Sequence, residues 1–182
     1  MKFCSTCGET VQLRIPQDDN RERYCCSSCD TIHYQNPRMV LGTLPVYNDK
    51  ILLCKRAIEP RLGYWTLPAG FMENGETVSE GASRETDEEA GIDFELGQIF
   101  SIMSVPHVGQ VHMFYLASMT SERIGGGPET LEAKLFSEHE IPWAEIAFHT
   151  VEKTLRWFIE DRQTGSFGVH SADVTWAQRK KS

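Results

Sequence analysis

The stretch GFMENGETVSEGASRETDEEAGI, residues 70–92, decides how the rest of the chain is read. Thr77-Val78-Ser79-Glu80 matches the S/T-x-x-E capping box, which makes Thr77 the N-cap of a helix. Gly91 stands where a left-handed residue would close that helix. At 3.6 residues per turn, Val78, Ala82, Glu85 and Glu89 share one narrow stripe, and Glu88 lies beside it. A face that begins apolar therefore ends in three carboxylates. Like charges three and four residues apart repel by about 0.2–0.5 kcal/mol per pair. These also crowd the C-terminal end of the helix, where the dipole disfavours negative charge. Arg84 reaches Glu88 at i+4 and offsets only part of the conflict. A divalent cation removes it, since Mg²⁺ prefers carboxylate oxygens and shares its shell with substrate phosphates.

Before this stretch, residues 39–47 and 50–56 flank the turn pair Asn48-Asp49 and read as a hairpin. Cys54 lies in its second apolar run, as a buried small hydrophobe. Residues 64–70 form a short extended piece entering a turn. After the helix, strand-like runs occur at 98–105, 111–118 and 133–137, with a glycine loop at 124–128 between the last two. A second helix starts near Thr150, buries Val151, Leu155, Phe158 and Ile159 at i, i+4, i+7, i+8, and is closed by Gly165. The divisions expected are 1–35, 36–168 and a tail at 169–182 without clear periodicity.

Five of the six cysteines fall within the first 29 residues. Cys4-Ser5-Thr6-Cys7 and Cys26-Ser27-Ser28-Cys29 are two C-x2-C knuckles with the spacing of a four-cysteine zinc ribbon. The segment has too little apolar material for a core of its own, so a metal would hold it together. Cys25 could replace Cys26, but only with an x3 spacing. Two disulfides are the competing arrangement, which an intracellular compartment disfavours. Four thiolates leave no open position on a zinc ion, so its role would be structural. Asp30 follows the second knuckle where such ribbons commonly have glycine.

Composition narrows the function classes. The chain has 182 residues, 40% hydrophobic and 24% charged, enough for one ordinary domain with a small appendage. No apolar run is long enough to span a bilayer, and the N-terminus has no signal-peptide character, so a cytoplasmic protein is expected. The net charge of −8 disfavours non-specific nucleic-acid binding, which needs a basic surface. It does not disfavour small phosphorylated substrates, because bound cations reverse the local field.

Residues 70–92 resemble the Nudix box, G-x5-E-x7-R-E-U-x-E-E-x-G-U, where U is aliphatic. Gly70, Glu76, Arg84, Glu85, Glu88, Glu89, Gly91 and Ile92 all match, and Thr86 departs from an aliphatic position. The resemblance implies an α/β (α+β) Nudix sandwich, a mixed sheet between helices, preceded by the zinc ribbon. It implies Mg²⁺ or Mn²⁺ held by Glu85, Glu88 and Glu89 with the Gly70 carbonyl, and a Glu76–Arg84 pair bracing the loop. It further implies hydrolysis of a nucleoside diphosphate linked to another group.

Segments 29–37, 63–70, 105–110, 127–132 and 140–143 are similar to the zinc-ribbon Nudix branch containing FAD/ADP-ribose pyrophosphatases of plant chloroplasts and bacteria. FAD or ADP-ribose, with release of AMP, is therefore the expected substrate class. NADH pyrophosphatases share the ribbon but carry an S-Q-P-W-P-F signature missing here, while Pro106 sits fifteen residues after Gly91, as in the ADP-ribose group. Glu132 is the candidate for an additional catalytic carboxylate, with Glu129 as the alternative. Arg56, Trp65 and Phe148 are candidate nucleotide contacts, although aromatics in such runs are more often core. Asn20, Arg21 and Arg23 are candidates for reaching a phosphate from the ribbon. Homodimers are common among ADP-ribose-type relatives. The competing functions are a NADH or nucleotide-sugar pyrophosphatase, a nucleoside triphosphate pyrophosphatase, and a ligand-sensing nucleic-acid-binding regulator.

Overall fold

A computed structural model of the chain describes residues 1–175. Two compact units are present, Met1–Asn36 and a larger one beginning at Pro37. The first is a three-stranded antiparallel sheet of β1 (Val11–Arg14), β2 (Arg23–Cys26) and β3 (Ile32–His33). Leu13 and Ile15 are exposed, and the buried apolar residues of this unit are Cys4, Pro16, Cys25 and Cys26. That is too little to drive folding by burial.

The second unit is built on a hairpin of β4 (Arg38–Tyr47) and β5 (Lys50–Arg56). Its turn places Asn48 at φ 55°, the left-handed geometry that asparagine tolerates best after glycine. Two short strands, β6 (Trp65–Thr66) and β7 (Ala69–Phe71), pair with β5 and β4. Next come α1 (Val78–Ala90), β8 (Phe94–Val105), β9 (Gln110–Met119), β10 (Thr130–Phe136), α2 (His149–Thr164) and β11 (His170–Asp173). The main sheet runs β10-β5-β4-β9-β8-β11. It is mixed, with β4–β9 and β8–β11 parallel and the other pairs antiparallel.

The pleat sends alternate side chains to opposite faces. Leu41, Leu52 and Cys54 face α1, where Ala82, Ala90 and Ile92 cover them. Leu44, Ile51, Leu53, Phe100 and Phe114 face α2 and meet Val151, Leu155 and Phe158. Each helix also makes a buried polar contact with the sheet. Thr43 Oγ1 lies 2.7 Å from Thr86 Oγ1 under α1, and Ser101 Oγ lies 2.9 Å from Thr154 Oγ1 under α2. His112 Nδ1 is 2.9 Å from Thr150 Oγ1, and its Nε2 is 2.9 Å from Gln110 Oε1. Burial pulls His112 down to about 4.

Two expectations are corrected here. The three predicted strands are longer, because the residues flanking the predicted runs remain paired in the sheet. The segment expected as a tail from residue 169 contributes β11, which pairs in parallel with residues 101–104 of β8. His170 stacks on Trp157 at 4.9 Å, and its Nε2 lies 2.8 Å from Asp161 Oδ2. The strand is thus fastened by α2 side chains together with Ala172 and Val174, which alternate into the main core. The remainder of the expected tail, 176–182, lies outside the described residues.

Candidate active site

Helix α1 starts and stops where its sequence dictates. Thr77 accepts from the Glu80 N–H at 3.2 Å, and Glu80 accepts from the Thr77 N–H at 2.7 Å. Gly91 closes it at φ 56°, ψ 44°. With both ends fixed, the carboxylate stripe faces the Pro68-Ala69-Gly70 segment. Glu89 is almost buried, and its Oε2 accepts from the Ala69 N–H at 3.0 Å. The Glu85 side chain is 13% exposed and that of Glu88 58%. Gly70 lies so close to Glu85 that any Cβ at that position would coincide with the carboxylate.

Arg84 organises the rest. Its Nε and Nη2 donate to the two oxygens of Glu76 at 3.0 and 2.9 Å, a bidentate pair. Nη1 donates to Glu85 at 2.7 Å and Glu88 at 3.1 Å, and Nη2 also donates to the Phe71 carbonyl at 3.1 Å. The Glu76–Arg84 brace expected from the sequence is therefore present in the geometry. Those Arg84 hydrogen bonds, with the Glu73 N–H, pull Glu76 down to about 2. Burial pushes Glu89 up to about 7, reinforced by the charges of Glu85 and Glu129 and opposed by the Ala69 N–H and Arg56. Burial likewise raises Glu85 against the opposing Arg84, with Glu88 and Glu129 adding to the rise. Carboxylates held in this state gain most from a cation, and an all-oxygen donor set beside an exposed Glu88 suits Mg²⁺ or Mn²⁺.

The additional carboxylate is placed differently from expectation. Glu132 pairs across the ladder with Lys55, whose ammonium lies over the Trp65 ring. Residues 132, 134 and 136 therefore share the face turned away from α1. A register shift between Thr130 and Glu132 separates this run from Glu129, whose charge does reach Glu85 and Glu89. Of the two candidates, Glu129, the alternative, is the one whose charge acts on Glu85 and Glu89. The missed signal was the irregularity between the two glutamates, which pattern reading cannot see.

Of the three candidate nucleotide contacts, two come together. The Arg56 guanidinium lies over the Phe148 ring at 5.0 Å, its Nε donates to the Pro60 carbonyl at 2.9 Å, and its charge acts on Glu89. Trp65 is corrected to a core residue. It is 6% exposed and meets Phe136 edge-on at 4.9 Å.

In the smaller unit the sulfurs of Cys4, Cys7, Cys26 and Cys29 lie within 4.8 Å of one another. Cys4–Cys29 and Cys7–Cys26 are 3.7 and 3.5 Å apart. Four thiolates at about 2.3 Å from a tetrahedral zinc would sit about 3.8 Å apart, so the cluster fits that ion. Each knuckle turns through a left-handed residue, Gly8 at φ 80° and Asp30 at φ 55°. Asp30 thus makes the turn that glycine commonly makes, as a short polar side chain can. The Cys25 sulfur points elsewhere, 3.6 Å from the Arg23 carbonyl. Arg23 pairs with Asp19 at 3.0 Å, and the same carboxylate accepts from the Asn20 and Arg21 N–H groups. Among the described residues, no helix is long and apolar enough to cross a membrane.

Comparison with known proteins agrees with this geometry. A zinc-ribbon family described as Nudix N-terminal matches residues 2–35, and the NUDIX domain family matches residues 36–158. A NUDIX hydrolase structure from Nitrosomonas europaea is 48% identical, with a TM-score of 0.92, covering 96% of this chain and 99% of that one. An ADP-ribose pyrophosphatase of Methanocaldococcus jannaschii is 29% identical over 68% of this chain and 76% of its own length. An NAD-capped RNA hydrolase NudC of Vibrio atlanticus is 31% identical over 64% of this chain, and the match spans only 42% of that larger protein. With every charged position of the box present, Glu85, Glu88 and Glu89 gathered on one helix and both family regions matched, the chain belongs to the Nudix hydrolases that carry an N-terminal zinc-ribbon region.

Proposed function

We propose that this hydrolase cleaves the diphosphate bond of an ADP-linked conjugate, ADP-ribose ahead of FAD, and releases AMP. The observation that carries the reading is the packing of Glu85 and Glu89 against Ala69 and Gly70, with Glu88 open beside them. Glu85, Glu88, Glu89 and the Gly70 carbonyl would hold Mg²⁺ or Mn²⁺. Bound there, the cations would neutralise the diphosphate and lower the pKa of the attacking water. Arg84 and Glu76 keep the 70–76 loop against the helix, so the donors are preorganised before substrate arrives. Arg56 and Phe148 offer a guanidinium for phosphate and a ring for the nucleoside. Glu129 is the candidate for holding or accepting the proton of the attacking water. The four-cysteine cluster would hold zinc in a structural role.

Support for ADP-ribose comes from the archaeal relative of that name. FAD rests on the plant-type segments alone. The NudC relatives support a second reading, an NAD-capped RNA end, against which the net charge of −8 counts. Purified protein with Mg²⁺ or Mn²⁺ should be offered ADP-ribose, FAD, NADH, NAD-capped RNA and nucleoside triphosphates, with products resolved by chromatography. AMP from ADP-ribose supports the proposal, decapped RNA alone favours the second reading, and no hydrolysis in any arm refutes both. Glu129→Gln should lower kcat by roughly 100-fold, in the range of a lost general base, whereas Glu132→Gln should leave it near wild type.

A further inference from the structure

Thr86 is the one position where the helix departs from the family's box, and the structure gives the departure a partner. Thr86 and Thr43 are both fully buried, with their hydroxyl oxygens 2.7 Å apart. Thr86 donates its single proton to the Ala82 carbonyl, also at 2.7 Å. Its oxygen must therefore accept from Thr43, which fixes the direction of the bond. The Thr43 backbone N–H meanwhile donates to the Pro68 carbonyl at 3.1 Å, and the next residue, Ala69, donates to Glu89. One residue of β4 thus grips both halves of the carboxylate site, the 68–70 segment through its backbone and α1 through its side chain. The contacts close a ring through Thr43, Pro68, Ala69, Glu89 and Thr86.

We infer that the Thr43–Thr86 hydroxyl pair is a positioning device, setting α1 against the 68–70 segment so that Glu85 and Glu89 meet Gly70 and Ala69 in register. The inference rests on the metal-binding reading of those glutamates. An aliphatic residue at 86 would pack equally well but could slide, since dispersion contacts lack direction. The direction of the hydrogen bond makes the single variants unequal. Thr86→Val strands the Thr43 proton in an apolar site and should lower the melting temperature by roughly 5 °C. Thr43→Val leaves Thr86 bonded to Ala82 and should cost about half of that shift. The double Val variant orphans no donor and should recover most of the loss.

The decisive measurement is on the double variant. Mn²⁺ affinity, followed by the free-ion spectrum in electron paramagnetic resonance, should weaken by roughly 3–10-fold, with kcat falling and KM nearly unchanged. Thr43→Ser with Thr86→Ser should restore both. A stable double variant with wild-type Mn²⁺ affinity and kcat would overturn the positioning role. Wild-type protein that binds no Mn²⁺ would instead remove the metal reading beneath it, a separable failure. Equal melting losses in the two single variants would overturn the assigned direction of the bond.

Discussion

The two units gather their candidate ligands, four cysteines in one and three glutamates in the other, by opposite means. In the ribbon the four sulfurs are brought together by two short knuckles and a three-stranded sheet, with almost no apolar cover. In the larger unit the carboxylates lie along the margin of the buried face of a helix whose ends are both capped. With zinc at the four sulfurs, as proposed, the first region would need its ion in order to fold. The other is folded beforehand, with Glu85 and Glu89 raised by burial, and the proposed cation would relieve them. Affinity of a structural site is folding energy, whereas affinity of a preorganised site is available for chemistry.

The sharpest way to break this contrast is to remove the zinc proposed for the ribbon. Binding in such sites is worth about 10–16 kcal/mol at neutral pH, so chelation or Cys26→Ser should unfold residues 1–36. Amide hydrogen exchange should then show lost protection there and retained protection in β4, β5 and β9. Next in size is catalysis: Glu88→Gln should reduce kcat by roughly 1000-fold with the melting temperature held within a few degrees. Activity close to wild type would end the assignment of that residue. Trp65→Ala should do the converse, destabilising the larger unit by about 3–5 kcal/mol as a core truncation while zinc content per chain stays constant. Phe148→Ala, by comparison, should raise KM for the nucleotide with little loss of stability.

The smallest effect concerns acid. His112 is held down near 4 in the folded protein, below its ordinary value of 6.5. Its stabilising contribution is complete above about pH 6.5 and is lost as the pH falls through the folded value, because the unfolded chain binds the proton first. Urea titrations between pH 7 and 4 should show a gradual decline in stability. His112→Gln should flatten that part of the slope, and an unchanged slope would assign the decline elsewhere.

What the residues made legible was whatever is governed by local chemistry. The capping box of Thr77 and Glu80, the left-handed Gly91, the Asn48 turn and the two knuckles depend on neighbours a few positions away, and all stand where pattern predicts. The Glu76–Arg84 brace was reached only through family resemblance, since eight residues separate its partners. What was missed depends on non-local register. Glu132 and Glu129 differ by three positions, and one irregularity in β10 decides which of them meets α1. Trp65 has the composition of a stacking residue, but the pleat of β6 turns it toward Phe136. β11 turns only Ala172 and the following Val174 into the core, too short an apolar pattern to read, and its pairing leans on His170 and Asp161, which hydropathy does not register.

That last strand has a consequence for handling the protein. By lying along residues 101–104, β11 covers the outer edge of β8, whose backbone amides and carbonyls would otherwise face water in a long unpaired row. Such a row is a template for strands from other molecules. The opposite edge, β10, carries Glu132 and Lys134, charges that repel such docking. A truncation that respects every residue of the Nudix box but removes His170–Asp173 would therefore leave the carboxylate helix in place and expose β8 to pairing with other molecules, which light scattering would register as aggregation.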